Sequence, residues 1–211
     1  VDLNGERFEY LPGQAVLVAT HGREKRRPYS LASSPEHVRR EGWIELLVGV
    51  DADGVVGPHL TLERGSEVDV EGPLGNFTFP PHPEESRFVF IAGGTGISPL
   101  RAMLYHALAI PHEQIGLFYS ARTPEDFAYE EEFRALARTG RIELRQAVTR
   151  AANIEDWTGT RGRLGRSELQ PLVHGPATLC FLCGPPALVD GMSALLQELG
   201  VPPARIKIEE W

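Results

Sequence analysis

The chain reads as a two-domain protein, an antiparallel β domain followed by a parallel α/β domain, and three observations predict it. Strand-like patches fill the first part, a proline-rich connector interrupts the chain, and apolar strands alternate with helices beyond it. In the first part the patches are Ala15 to Ala19, Pro28 to Leu31, Trp43 to Val50 and Val68 to Glu71. Gly, Pro and Asp clusters separate them and helical periodicity is nearly absent, which is the pattern of an antiparallel barrel or sandwich. The segment Pro80-Pro81-His82-Pro83-Glu84-Glu85-Ser86 is stiff and polar, a connector that places the domain boundary between residues 83 and 84. Five strands are expected after it: Phe88 to Ala92, Ile115 to Ser120, Ile142 to Val148, Thr178 to Cys183 and Ile206 to Glu209. Such apolar runs suit a parallel sheet covered on both faces. Ser98 is placed to cap the first helix, with Pro99 at its first position and Leu100, Met103, Leu104, Ala107 and Leu108 on one face. A later helix, about Pro186 to Leu199, buries Leu188, Met192, Leu195, Leu196 and Leu199.

Composition narrows the function. The 211 residues carry a formal charge of −8, which argues against nucleic acid, whose binding needs a basic patch. No apolar run approaches the ~18 residues of a spanning helix, and the N-terminal residues lack the charged-then-apolar pattern of a signal segment, so the expected setting is cytoplasmic. Cys180 and Cys183 are too few for a four-thiolate iron–sulfur cluster. Their C-x-x-C spacing suggests thioredoxin chemistry, but in a strand residues three apart face opposite ways. The histidines lack the H-x-x-x-H spacing of a metal site, and no metal is expected.

Three short patches carry the chemistry. Gly93-Gly94-Thr95-Gly96-Ile97-Ser98 lies where a strand meets a helix, so backbone N–H groups and the helix N-terminus can hold a pyrophosphate. It satisfies neither G-x-G-x-x-G nor a Walker loop, and its plain reading is a tight turn. Arg27-Pro28-Tyr29-Ser30 puts a cation, an aromatic ring and a hydroxyl in four residues. These suit a phosphate, a planar ring system and a ring nitrogen in turn, although taken alone the patch reads better as a solvated edge strand. Cys183-Gly184-Pro185-Pro186 closes the last long strand. The three together read as a flavin site facing a nicotinamide site, and that pairing implies hydride transfer.

The chain resembles the ferredoxin–NADP reductase family of flavoenzymes, which includes the reductase components of oxygenases. The landmarks occur in order: Pro12-Gly13-Gln14, Arg27-Pro28-Tyr29-Ser30, Gly54-Val55-Val56-Gly57-Pro58-His59-Leu60, Gly72-Pro73-Leu74-Gly75-Asn76-Phe77, Gly93-Gly94-Thr95-Gly96, Tyr119-Ser120-Ala121-Arg122 and Cys183-Gly184-Pro185-Pro186. The resemblance implies a Greek-key flavin-binding barrel over residues 1–83, its N-terminal strand short or missing, and an NAD(P)-binding domain over 84–211. Arg27 and Pro28 would border the flavin phosphate, Tyr29 the isoalloxazine, and Ser30 the flavin N5. Val55, Val56 and Gly57 would offer backbone donors to the flavin phosphates. Gly57 replaces the family's usual Ser or Thr, which leaves His59 either as a compensating ligand or as plain surface. Gly94, Thr95 and Gly96 would meet the pyridine nucleotide, while Cys183, Gly184 and Pro185 would border its nicotinamide.

Ser120, Arg122 and Tyr129 match the place where NADPH users hold the 2′-phosphate, with Arg122 the best candidate. Cys183 is then a positioning residue or simply a small buried hydrophobe. Trp211 is either a lid over the flavin or packed on its own domain. Ser30, Tyr29 and Cys183 form the implied catalytic set. The implied cofactors are FAD, with FMN as the alternative, and NADPH or NADH. The implied acceptor is a ferredoxin, an oxygenase component or a small molecule. The rival reading is a flavin- or nucleotide-binding redox subunit or sensor without turnover.

Overall fold

The computed structural model describes residues 1–50, 56–150 and 157–210. The first domain has three regular strands, β1 (Ala15–Thr20), β2 (Arg27–Ser30) and β3 (Val68–Leu74), in an antiparallel sheet of order β2-β1-β3. Strand β1 alternates its burial, with Val16 and Val18 turned into a core that holds Tyr10, Leu31, Val38 and Ile44. The patch from Trp43 to Val50 does not form a regular strand. It joins through single bridges, Trp43 to Asp2 and Leu46 to Leu31. The Val1 ammonium donates to the Ile44 carbonyl at 2.7 Å and the Ile44 N–H to the Val1 carbonyl at 2.9 Å. The first residues are thereby bridged to this patch without forming a regular strand.

This domain also holds a helix that periodicity did not predict, α1 (Pro35–Glu41). It is under two turns long and buries only Pro35 and Val38, too little to produce a periodic signal. Its ends are written in the sequence: the Ser34 hydroxyl accepts from the His37 N–H, and Gly42 closes it in the left-handed region at φ 77°.

The second domain contains a parallel sheet of six strands, not five, in the order β7-β6-β5-β4-β8-β9. Its strands are β4 (Arg87–Gly93), β5 (Gln114–Ala121), β6 (Glu143–Val148), β7 (Thr160–Arg161), β8 (Thr178–Gly184) and β9 (Ile206–Glu210). The additional strand, β7, is two residues long and carries no apolar run. Helices α2 (Ile97–Ala109) and α3 (Glu130–Arg138) accompany one apolar cluster, while α4 (Arg166–Leu169) and α5 (Pro186–Glu198) accompany the other. Strand β8 is buried throughout and alternates between them: Leu179, Phe181 and Cys183 join one cluster, Cys180 and Leu182 the other. The two thiols thus face opposite sides of the sheet, as strand geometry requires.

Phe77 and Phe79, which follow β3, belong to the second domain's cluster. The Phe79 ring is fully buried and stacks on Phe181 at 5.1 Å, with Phe88 edge-on at 5.0 Å. Burying such a ring stabilises the fold by about 1.5–3 kcal/mol, here joining the chain after the small sheet to the large one. From β4 the sheet grows outward through β5, β6 and β7, then returns to the other side of β4 with β8 and β9. Ligands of open α/β sheets bind at such a reversal, beyond the carboxyl ends of the strands. Among the described residues no helix is long and apolar enough to cross a membrane.

Candidate functional site

The loops after β4 and β8 leave the sheet side by side at this reversal. Gly94–Gly96 forms a single 3-10 turn leading directly into α2. Ser98 does not cap that helix. Gly96 occupies the cap position, and the Ser98 hydroxyl donates to the Ser30 carbonyl at 2.9 Å. A residue read as a local terminator is therefore a bond between the domains, and it holds the backbone of the Arg-Pro-Tyr-Ser patch against the glycine turn. Gly96 lies so close to β8 that a Cβ there would stand 2.3 Å from the Cys183 carbonyl oxygen. The three patches, far apart in the sequence, are thus joined in order: Ser30 to Ser98, then Gly96 to Cys183.

Cys183 is 1% exposed. Its Sγ donates to Glu209 Oε2 at 3.8 Å, and the two residues are direct register partners on β8 and β9. Burial pushes the Cys183 thiol up and the Glu209 carboxylate adds to that, while burial also raises the Glu209 carboxyl. Both effects keep the sulfur protonated, which makes it an uncharged wall rather than a thiolate nucleophile. Cys180, on the opposite face, is pushed up to about 12 by burial alone. Sequence reasoning missed Glu209. The C-terminal Glu-Glu pair resembles a solvated charge run, and only the β8–β9 register reveals which carboxylate meets the sulfur.

On the first domain Arg27 and Pro28 are exposed, and Tyr29 and Ser30 half-buried. Tyr29 Oη lies 2.7 Å from His59 Nε2, and the two rings stack at 5.9 Å. His59 is 4% exposed, so it is no surface residue, and its Nδ1 is buried without a hydrogen-bond partner among the described residues. Burial lowers the His59 pKa and the Arg27 charge lowers it further, which favours the neutral ring. With Nε2 occupied by Tyr29, Nδ1 is the ring nitrogen left without a partner among the described residues. The Gly57 backbone beside it has φ 108°, in the region that favours glycine, and a Cβ built there would stand 3.5 Å from Nδ1. Val56 is half-buried. Val55 and Trp211 lie outside the described residues.

On the nucleotide side Thr95 is exposed and Gly94 half-buried at the turn, and Ser120 is buried opposite Gly93 across the β4–β5 register. Gly184 is buried and Pro185 exposed after it. Arg122 is exposed just past β5, and its carbonyl accepts from the Arg150 N–H at 2.9 Å. Two arginines therefore leave the ends of neighbouring strands together, and among the described residues neither side chain has an ion-pair partner. Sequence reading singled out only Arg122. Tyr129 does not join them. Its ring carries the Arg101 guanidinium 4.4 Å above it and meets Phe133 edge-on at 6.2 Å.

An orphaned polar nitrogen beside a glycine turn on one domain, and a glycine cradle that a Cβ would fill on the other, fit a phosphate-bearing flavin and a pyridine dinucleotide. The sequence matches the family model described as the oxidoreductase FAD-binding domain over residues 1–79 and that of the oxidoreductase NAD-binding domain over residues 90–194. Ferredoxin–NADP reductase B of Sorangium cellulosum is 33% identical over 220 residues, covering 99% of this chain and 88% of that protein. The chain belongs to the ferredoxin–NADP reductase family. Oxidoreductase NAD-binding domain-containing protein 1 of Danio rerio is 30% identical over 225 residues, covering 97% of this chain and 82% of its own. The Amycolatopsis cytochrome P450 reductase GcoB superposes with a TM-score of 0.80 at 27% identity, over 98% of this chain and 62% of that one. As a member of this family the protein is a flavin-dependent NAD(P)H oxidoreductase with FAD and NAD(P)H as its cofactors.

Proposed function

We propose that the protein takes hydride from NAD(P)H in the cleft between its domains and delivers electrons to a protein acceptor such as a ferredoxin or an oxygenase component. The observation that carries this reading is the chain of contacts from Ser30 through Ser98 and Gly96 to Cys183. It sets the proposed flavin-facing hydroxyl beside the proposed nicotinamide wall. A flavin bound here would supply the chemistry of hydride acceptance, two electrons with one proton from the reduced nicotinamide C4, and of electron release singly or as a pair to the acceptor.

The chain's own residues bind and orient. Arg27 would pair with the flavin phosphate, and the Val56 and Gly57 backbone with His59 Nδ1–H would supply further donors. The Tyr29 ring, with its hydroxyl held by His59, would lie against the isoalloxazine. Ser30 would donate its hydroxyl hydrogen to the flavin N5. Gly94, Thr95 and Gly96 present backbone N–H groups at the start of α2 to the dinucleotide pyrophosphate. Ser120 lines the floor, while Cys183, Gly184 and Pro185 exclude water from the nicotinamide. The boundary near residues 83 and 84 divides the flavin-holding part from the nucleotide-holding part. Two free, buried thiols accord with a reducing, cytosolic setting. The acceptor class rests on likeness to ferredoxin–NADP reductase B and to the cytochrome P450 reductase GcoB.

Arg122, with Arg150 beside it, is the proposed site of the 2′-phosphate, since a guanidinium fork suits phosphate. The test is steady-state electron transfer to an artificial acceptor with NADPH and with NADH. Arg122→Leu is expected to raise KM for NADPH by about tenfold or more, a charged hydrogen bond's worth, with KM for NADH unchanged. Equal effects on both nucleotides remove Arg122 from this role, and turnover of neither nucleotide by the unmodified protein overturns the reading as a whole.

A further inference from the structure

Helix α2 carries an arginine with no place in the cofactor site. Arg101 follows Ser98 by one helical turn, and its side chain is only 11% exposed. Its Nε and one terminal nitrogen fork onto both carboxylate oxygens of Glu132, on α3, at 2.8 Å each. Its other terminal nitrogen crosses to the first domain, donating to the Ala32 carbonyl at 2.8 Å and to Glu45 at 3.1 Å. The guanidinium packs on two rings, 4.4 Å from the centre of Tyr129 and 5.2 Å from that of Tyr105. One cation thus joins two carboxylates from different domains, with almost all its donors used. A lysine has no planar fork with which to repeat this.

We infer that Arg101 is a positioning residue for hydride transfer, an interdomain clasp that fixes the glycine turn of α2 against the Ser30 strand. Ala32, which it grips, lies two residues beyond Ser30, and Ser98, one turn before it, holds the Ser30 carbonyl. Farther along the same helix His106 Nδ1 meets Glu36 at 2.9 Å. Three residues on one helix, Ser98, Arg101 and His106, thereby bind the first domain. Arg101 is the central one and the one that also reaches α3. Both ends of the reaction path hang from this helix, so slack in the clasp changes the separation of the reacting groups without altering any group that binds a cofactor. A misplacement of about 1 Å is enough to slow a reaction by about a hundredfold.

The inference rests on the hydride-transfer reading, and the test separates the two. Arg101→Met and Glu45→Gln are compared with the unmodified protein. Glu45→Gln is the safeguard should Arg101→Met, which strands Glu132, fail to fold. In the apoprotein, amide exchange of peptides spanning 30–33 and 96–102 is expected to accelerate together in Glu45→Gln, with the rest of the sheet unchanged. In the FAD-reconstituted protein, single-turnover flavin reduction is expected to fall by about a hundredfold in Arg101→Met and by about tenfold in Glu45→Gln. Nucleotide Kd should stay within about twofold, and Arg101→Lys should recover only part of the lost rate. Unchanged exchange at either peptide, an unchanged rate, or a rate loss matched by weaker nucleotide or flavin binding overturns the clasp. If the unmodified protein reduces no flavin, the hydride reading fails, and the exchange measurement still decides whether Arg101 and Glu45 join the domains.

Discussion

Gly96→Ala is expected to slow flavin reduction by about a hundredfold and to destabilise the fold by about 1–3 kcal/mol. The backbone there is ordinary, φ −60° and ψ −9°, so conformational preference is not the reason. The reason is space. The added Cβ would stand 2.3 Å from the Cys183 carbonyl oxygen and 2.6 Å from its carbon, backbone atoms that no side-chain rotation can clear. The turn after β4 and the end of β8 must separate, and that parts the groups proposed to hold the pyrophosphate and the nicotinamide of the dinucleotide. Stopped-flow reduction and thermal melting measure both effects. Gly191→Ala is the matching control, because nothing lies within 4 Å of a Cβ there and alanine in a helix favours stability by about 1 kcal/mol. A Gly96→Ala protein with normal melting and normal reduction would show that the two loops need not touch.

Ser30→Ala is the complementary case, a chemical loss with no packing loss. The Ser30 carbonyl accepts from Ser98, and this bond survives the substitution. Its hydroxyl has no protein partner among the described residues, so removing it leaves no orphaned group behind. Loss of one positioned hydrogen-bond donor is expected to slow hydride transfer by about a hundredfold, with stability changed by less than about 0.5 kcal/mol. Because Ser30 is assigned to the flavin N5 and not to the nucleotide, the effect should appear in the rate and not in KM. A rate unchanged by Ser30→Ala would remove the hydroxyl from the chemistry.

Much of the site was legible because it is made of backbone signals. Glycine turns at strand ends and the alternation of Cys180 and Cys183 depend on local geometry, and local geometry is written in short strings. What escaped is non-local. Arg101 sits among apolar residues on α2 and resembles an incidental charge until α3 and the loop carrying Glu45 fold against it. Ser98 carries the ordinary signature of a helix cap, but its hydroxyl is better used 68 positions away in sequence, on the Ser30 carbonyl. Tyr129 aligned with a nucleotide contact, yet its ring packs against Arg101. His59 stood open between ligand and surface because its burial and its contact with Tyr29, 30 positions away, are not local signals. Strand β7 and helix α1 were too short for periodicity, although the capping residues Ser34 and Gly42 marked the helix. Val55 and Trp211 lie outside the described residues.

The central claim is that the Arg27–Ser30 strand holds a flavin within hydride reach of a nucleotide on the Gly94–Gly96 turn. Its most direct test is anaerobic mixing of the FAD-reconstituted protein with NADPH and with NADH while the visible flavin absorbance is followed. The expected result is a yellow protein that bleaches with at least one nucleotide, and recovers its colour when an electron acceptor is added. A protein that retains no flavin, or one that stays yellow with both nucleotides, would contradict it.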